Sequence, residues 1–129
     1  MQREMLKSKI HRAIVTEANL HYMGSLTLGY TLAESADILE YEFVHVTNIN
    51  SGIHWVTYVI LDLENAHTVC LNGTAARNFQ IGDPVIIMAY GHYEPGAIKS
   101  LKPRIVFVDA NNHVTEVINR ERPRQTHGS

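Results

Sequence analysis

The run Trp-Val-Thr-Tyr-Val-Ile-Leu-Asp-Leu at residues 55–63 constrains the fold more than any other stretch of the chain. It is dense in β-branched and aromatic side chains, which suit a pleated, half-buried surface and crowd a helix. A strand this long needs partners, and the chain supplies them as short apolar runs divided by turn residues. Residues 43–49 are rich in β-branched side chains and stop at Asn50-Ser51-Gly52, a turn tripeptide. Residues 68–71 form a further short run before the turn dipeptide Asn72-Gly73. Gly82-Asp83-Pro84 leads into residues 85–90, a run apolar at successive positions and so expected to be buried on both faces. Residues 104–109 and 113–118 read as a hairpin across Asn111-Asn112.

Other segments are less regular. Residues 4–15 carry two periods at once: Leu6, Ser8, Ile10, Arg12 and Ile14 alternate as in a strand, while Leu6, Ile10 and Ile14 also fit a helical stripe. Residues 26–28 form a short strand that Gly29 ends. Thr31-Leu32-Ala33-Glu34 fits the capping-box pattern and predicts a helix through Ile38. Residues 74–78 fit one helical turn, and residues 93–102 a loop around Pro95-Gly96. Residues 119–129 are charged and polar and are expected to be a flexible tail. Six or seven short strands with two small helices indicate a mainly β protein, a small barrel or sandwich. No repeat and no linker interrupts it, and 129 residues make one domain.

Composition narrows the function classes. The net charge is −2, with no basic excess to hold a phosphate backbone, so no nucleic-acid partner is expected. No stretch reaches the ~18 apolar residues of a membrane helix, and none has the form of a signal peptide. The single cysteine, Cys70, cannot make an internal disulfide and is expected to fill the core. A cytoplasmic location follows as the expectation. The eight histidines include no pair three or four residues apart, so no metal site is expected.

One short string carries chemistry. Tyr22-Met23-Gly24-Ser25 is preceded by Lys9-Ile10-His11-Arg12, Thr16, Ala18, Leu20 and His21. Thr57-Tyr58 and Asn72-Gly73-Thr74-Ala75-Ala76 follow it. In this order and spacing the set resembles the pyruvoyl-dependent aspartate 1-decarboxylases, over roughly residues 3–118. The resemblance implies a six-stranded double-psi β-barrel of residues 1–118, assembled as a homotetramer with active sites between neighbouring subunits. It implies that the Ser25 hydroxyl attacks the Gly24 carbonyl, that the chain is cut between residues 24 and 25, and that Ser25 becomes a pyruvoyl group. The residue types suit this. Glycine admits strained dihedrals and close approach to its carbonyl, and serine offers a nucleophile activated by position. The resulting ketone forms a Schiff base with a substrate amine and accepts electrons on decarboxylation. The activity implied is conversion of L-aspartate to β-alanine and CO2 for pantothenate and coenzyme A synthesis.

The same resemblance distributes roles. Ser25 is the cofactor precursor and Tyr58 the proton donor, since a phenol of pKa about 10 stays protonated at neutral pH. Gly24, Thr57, His11 and Tyr22 belong to self-processing. Lys9, Thr57, Asn72, Gly73, Thr74, Ala75 and Ile86 bind substrate. Two departures stand out. His54 stands where the family has an arginine for a substrate carboxylate, and Thr47 where it usually has a tryptophan. Thr74 also replaces the usual alanine. A second reading therefore keeps the chemistry and changes the amino acid. A third is an unprocessed, non-catalytic barrel that binds a small molecule. Maturation is left open as spontaneous or assisted by a helper protein.

Overall fold

The computed structural model describes residues 1–126; residues 127–129, the end of the expected tail together with His127, lie outside the described residues. The chain is mainly β with short helices, consistent with the expected barrel. Nine strands form one sheet, where six or seven were expected from the sequence pattern. They are β1 (Arg3–Ile14), β2 (Glu17–Asn19), β3 (Ser25–Gly29), β4 (Phe43–Asn48), β5 (His54–Asp62), β6 (Val69–Asn72), β7 (Pro84–Tyr93), β8 (Arg104–Val108) and β9 (Val114–Ile118). The strand missed in the sequence, β2, is three residues of Glu-Ala-Asn, too short and polar to show a period.

The sheet order is β2-β6-β3-β5-β4-β7-β1-β8-β9. Strands β1 and β2 are consecutive in the chain yet far apart in this order, so the sheet must curl. Thr16, between them, makes the join: its N–H donates to Val69 O at 2.8 Å, and its hydroxyl accepts from Val69 N–H at 2.9 Å. Asn112, fully buried, fixes the same seam. It bonds both backbone groups of Ile14 at 2.7 and 2.9 Å and donates to His67 O at 3.0 Å. Inside lie Ile10, Leu26, Leu28, Val44, Val46, Val59, Leu71, Phe79, Val85 and Ile87.

The ambiguous first segment is a strand. It pairs antiparallel with β7 and parallel with β8, and bulges between Leu6 and Ser8 and between Ile10 and Ala13. Alternation outweighs the helical stripe because both strand edges find partners. The capping box does not form. Helix α1 (Tyr30–Ser35) starts one residue before Thr31, capped by Gly29 with no side-chain hydrogen bond, and stops short of Ile38. Packing sets that boundary: a Cβ on Gly29 would lie 2.2 Å from the Ala66 carbonyl oxygen, so β3 enters the helix where only glycine fits. Residues 93–102 are not all loop, because β7 runs on to Tyr93 and Pro95 opens a one-turn helix, α2 (Pro95–Ile98). Residues 85–90 are not buried on both faces. Val85, Ile87 and Ala89 are buried, while Ile86, Met88 and Tyr90 lie half-covered on the outside of the curled sheet.

Candidate active site

Ser25 is the first residue of β3, so the Gly24–Ser25 peptide lies where an exposed turn enters the sheet. Residues 22–24 are exposed, whereas Ser25 is only 5% exposed. Ser25 pairs with Asn72 on β6, and Leu26 with Val59 on β5. One residue back along the parallel pair β3–β5 brings Tyr58 level with Ser25. Since Leu26 and Val59 face the core, Asn72, Ser25 and Tyr58 form a row on the outer face of three adjacent strands. Thr57 alternates inward and is 9% exposed, level with Gly24. Of the two neighbours singled out in the sequence, only Tyr58 shares the face of the Ser25 side chain.

Asn72 organises the row. Its Nδ2 donates to Ser25 Oγ at 3.0 Å and to Thr27 Oγ1 at 2.8 Å. Its Oδ1 accepts from the Cys70 thiol at 3.0 Å. With Asn72 donating to it, the Ser25 hydroxyl turns its own proton toward Met23 O, 3.5 Å away. Cys70 is therefore more than the core filler expected. Burial first, then the charges of Glu17 and Asp62, push its thiol up to about 12, so it stays an S–H donor. Its place two residues before Asn72 in a strand, on the same face, was the sequence signal that could have revealed it.

Gly73 closes the other side. It opens the 3-10 turn Gly73–Arg77 at φ +70, and a Cβ there would lie 2.9 Å from Gly24 Cα and 3.3 Å from Tyr22 O. Both the dihedral and the close approach require glycine. Thr74 is exposed and Ala75 buried on the same turn.

The remaining predicted residues lie in two further places on the outer face. Lys9 and His11 lie on β1, which is four strand steps from β3, roughly 19 Å along the sheet at ~4.8 Å per step. The Lys9 ammonium lies 3.5 Å from the Glu121 carboxylate, beside a small cavity lined with His11, Ile105, Phe107 and Gln125. His11 meets Phe107 edge to face, with ring centres 5.8 Å apart. Thr47 on β4 pairs with both His54 on β5 and Ile86 on β7. Four residues of β5 separate His54 from Tyr58, about 13 Å at ~3.3 Å per residue. One chain thus gathers Gly24, Ser25, Tyr58, Asn72 and Gly73, and separately Thr47, His54 and Ile86. It does not bring the two groups together. Among the described residues no three of His, Cys, Asp or Glu gather to hold a metal ion, and no helix is long and apolar enough to cross a membrane.

Comparison with known proteins shows the family of the chain. The profile described as aspartate decarboxylase matches residues 1–115. The chain belongs to the aspartate decarboxylase family. It is 54% identical over 118 residues to the aspartate 1-decarboxylase of Caldicellulosiruptor saccharolyticus, covering 92% of each chain. It is 50% identical over 121 residues to that of Desulfitobacterium hafniense, covering 94% of this chain and 95% of the relative. The Campylobacter jejuni protein of the same name is 49% identical over 118 residues, 92% of this chain and 93% of its own. The family match favours the first of the three readings drawn from the sequence.

Proposed function

We propose that this chain cuts itself between Gly24 and Ser25, converts Ser25 into a pyruvoyl group, and then decarboxylates L-aspartate to β-alanine for pantothenate and coenzyme A synthesis. The observation that carries this is the Gly24–Ser25 peptide at the mouth of β3, with a buried Ser25 hydroxyl held by Asn72. These residues fit the group. Gly24 carries no Cβ beside its carbonyl, Gly73 leaves room against it, and Ser25 Oγ is held by the neutral Asn72 amide. Once formed, the pyruvoyl ketone supplies the electron sink for loss of CO2.

The protein residues divide the remaining work. Asn72 and the Gly73 turn hold the scissile carbonyl and later the substrate. Tyr58, level with Ser25 on the same face, returns a proton to the substrate Cα. Ile86 and its half-buried neighbours give a dry wall that favours departure of the carboxylate. Lys9 and the group around His54 are offered to the second carboxylate. Because one chain keeps these two groups apart, the site is completed between subunits of a homotetramer. Phe43, at 68% exposure, and Val56, at 45%, add apolar surface suited to such contacts on the outer face. An unpaired, protonated Cys70 suits a reducing compartment such as the cytoplasm.

Intact-mass spectrometry of purified protein, followed by an assay for β-alanine, tests the reading. The expected result is two fragments parting after Gly24 and β-alanine formed from L-aspartate. Protein that stays uncut and unmodified after long incubation would sink it. Cys70 gives a finer check. Cys70→Ala leaves Asn72 Oδ1 without its buried donor and is expected to slow the cut by roughly tenfold. Cys70→Ser, which keeps a donor there, restores the rate. Equal rates in all three proteins would remove Cys70 from the arrangement.

A further inference from the structure

His54, which the sequence resemblance sets in the place of an arginine, does not stand alone. Its Nε2 lies 2.9 Å from His45 Nδ1, and its Nδ1 lies 3.1 Å from Thr47 Oγ1. Both nitrogens of His54 are therefore engaged within the chain. The two imidazoles stand with ring centres 5.0 Å apart, and His45 is braced edge-on by Tyr90, also at 5.0 Å. His45 Nε2 has no hydrogen-bond partner among the described residues. It is the open end of a chain that runs from Thr47 through His54 to His45.

The hydrogen inventory of this chain decides what it can do. Two imidazole nitrogens in contact need one proton between them, so the rings cannot both be fully protonated with the bond intact. Take up one proton, and every nitrogen is accounted for. His54 Nδ1–H donates to Thr47, one proton lies between the rings, and His45 Nε2–H points outward. The pair then carries one positive charge and one directed donor. A second proton would break the contact between the rings. Along the same row, His45 pairs with Met88 on β7, which pairs with Lys9 on β1. Lys9 itself meets the Glu121 carboxylate at 3.5 Å, so the pair's limit of one charge rests on the proton shared between its rings. From β5 and β4 the same face presents Tyr58, Val56, Phe43 and Thr47, and from β7 Ile86 and Tyr90. Among the described residues none of these is an acid.

We propose that in this chain the second carboxylate of the substrate is received by His45 Nε2, with His54 as a positioning residue that holds the ring's tautomer and shares its charge. The role of the family's arginine passes to a one-proton histidine pair, with Thr47 as its anchor. This deepens the reading of the protein as an aspartate decarboxylase and rests on it. A carboxylate bound there takes up a proton with it when the pair is neutral, so aspartate binds tighter at lower pH.

The test joins kinetics of the cleaved enzyme on L-aspartate, from pH 6 to 8, to nitrogen NMR of its histidines. In the wild type, KM is expected to rise toward about tenfold per pH unit once the pair is neutral, with kcat changing little. His45→Gln keeps an amide donor near the Nε2 position but cannot take the proton. It should raise KM at pH 6 by about ten- to hundredfold, the range for one charge-assisted hydrogen bond, and flatten the profile. His54→Gln should keep a pH dependence, because His45 can still take up the proton, and should raise KM because the ring's tautomer is no longer held. A KM independent of pH in wild type, or a silent His45→Gln beside a His54→Gln that abolishes aspartate use, overturns the proposal. Succinate, a dicarboxylate without the amine, separates this from failure of the enzymatic reading. It should shift the His45 Nε2 signal even in protein that makes no β-alanine. A shift confined to His54, or none in either ring, counts against the pair.

Discussion

Ser25→Ala is expected to give a single uncut chain of 14.6 kDa with no decarboxylase activity, where the wild type gives two fragments. The substitution removes one oxygen, the nucleophile for the Gly24 carbonyl and the source of the pyruvoyl ketone. Nothing else in the row can replace it, because Thr27 lies two residues further along β3 and Cys70 stays a thiol. The fold should survive. Asn72 Nδ2 loses one acceptor but keeps Thr27 Oγ1 at 2.8 Å, so the cost is about 1 kcal/mol and confined to one amide. Intact mass, circular dichroism and a β-alanine assay on the same preparation check all three parts. A Ser25→Ala protein that still parts after Gly24 would place the nucleophile elsewhere. One that does not fold would show that the Asn72 contact stabilises the structure as well.

Much of the fold was legible because the strands declare themselves by β-branched runs and turn residues. What escaped depended on contacts between distant segments. Gly29 overrules the capping box because Ala66 comes against it from 37 residues away, and no local pattern carries that. The faces of residues 85–90 differ from the expectation because an all-apolar run does not reveal that its outer side chains stay half-covered in one chain. The resemblance to a family named candidate site residues one by one, yet it said nothing of their arrangement. Thr57 and Tyr58 are adjacent in sequence and part to opposite faces by alternation alone. Cys70 looked like core filler among Val69 and Leu71, since nothing local shows that its S–H meets Asn72. His45 carries no signal in the sequence, because its partner, His54, is reached only across the β4–β5 pair.

Tyr58→Phe is expected to cut normally after Gly24 and then to lose turnover by about a hundredfold or more, the range for removing a positioned general acid. Ring and hydroxyl have separate roles. The ring lies 6.3 Å from that of Tyr41, tilted by 34°, and phenylalanine keeps that packing. The self-cleavage groups, Gly24, Ser25, Asn72 and Gly73, make no hydrogen bond to the phenol among the described residues, so maturation should not notice its loss. The hydroxyl is different. Tyr58 is level with Ser25 on the same outer face, and it is the side chain of that row able to give a proton at neutral pH. After CO2 leaves, the substrate Cα needs that proton before product can depart. The loss should therefore fall on kcat, with KM for aspartate within a few-fold of wild type. Aspartate turnover in deuterated water adds a second reading. A solvent isotope effect on kcat in wild type that changes in Tyr58→Phe ties the phenol to the transfer. A cleaved Tyr58→Phe enzyme with unchanged kcat would show that the proton comes from another source, and that the level placement of Tyr58 beside Ser25 serves packing alone.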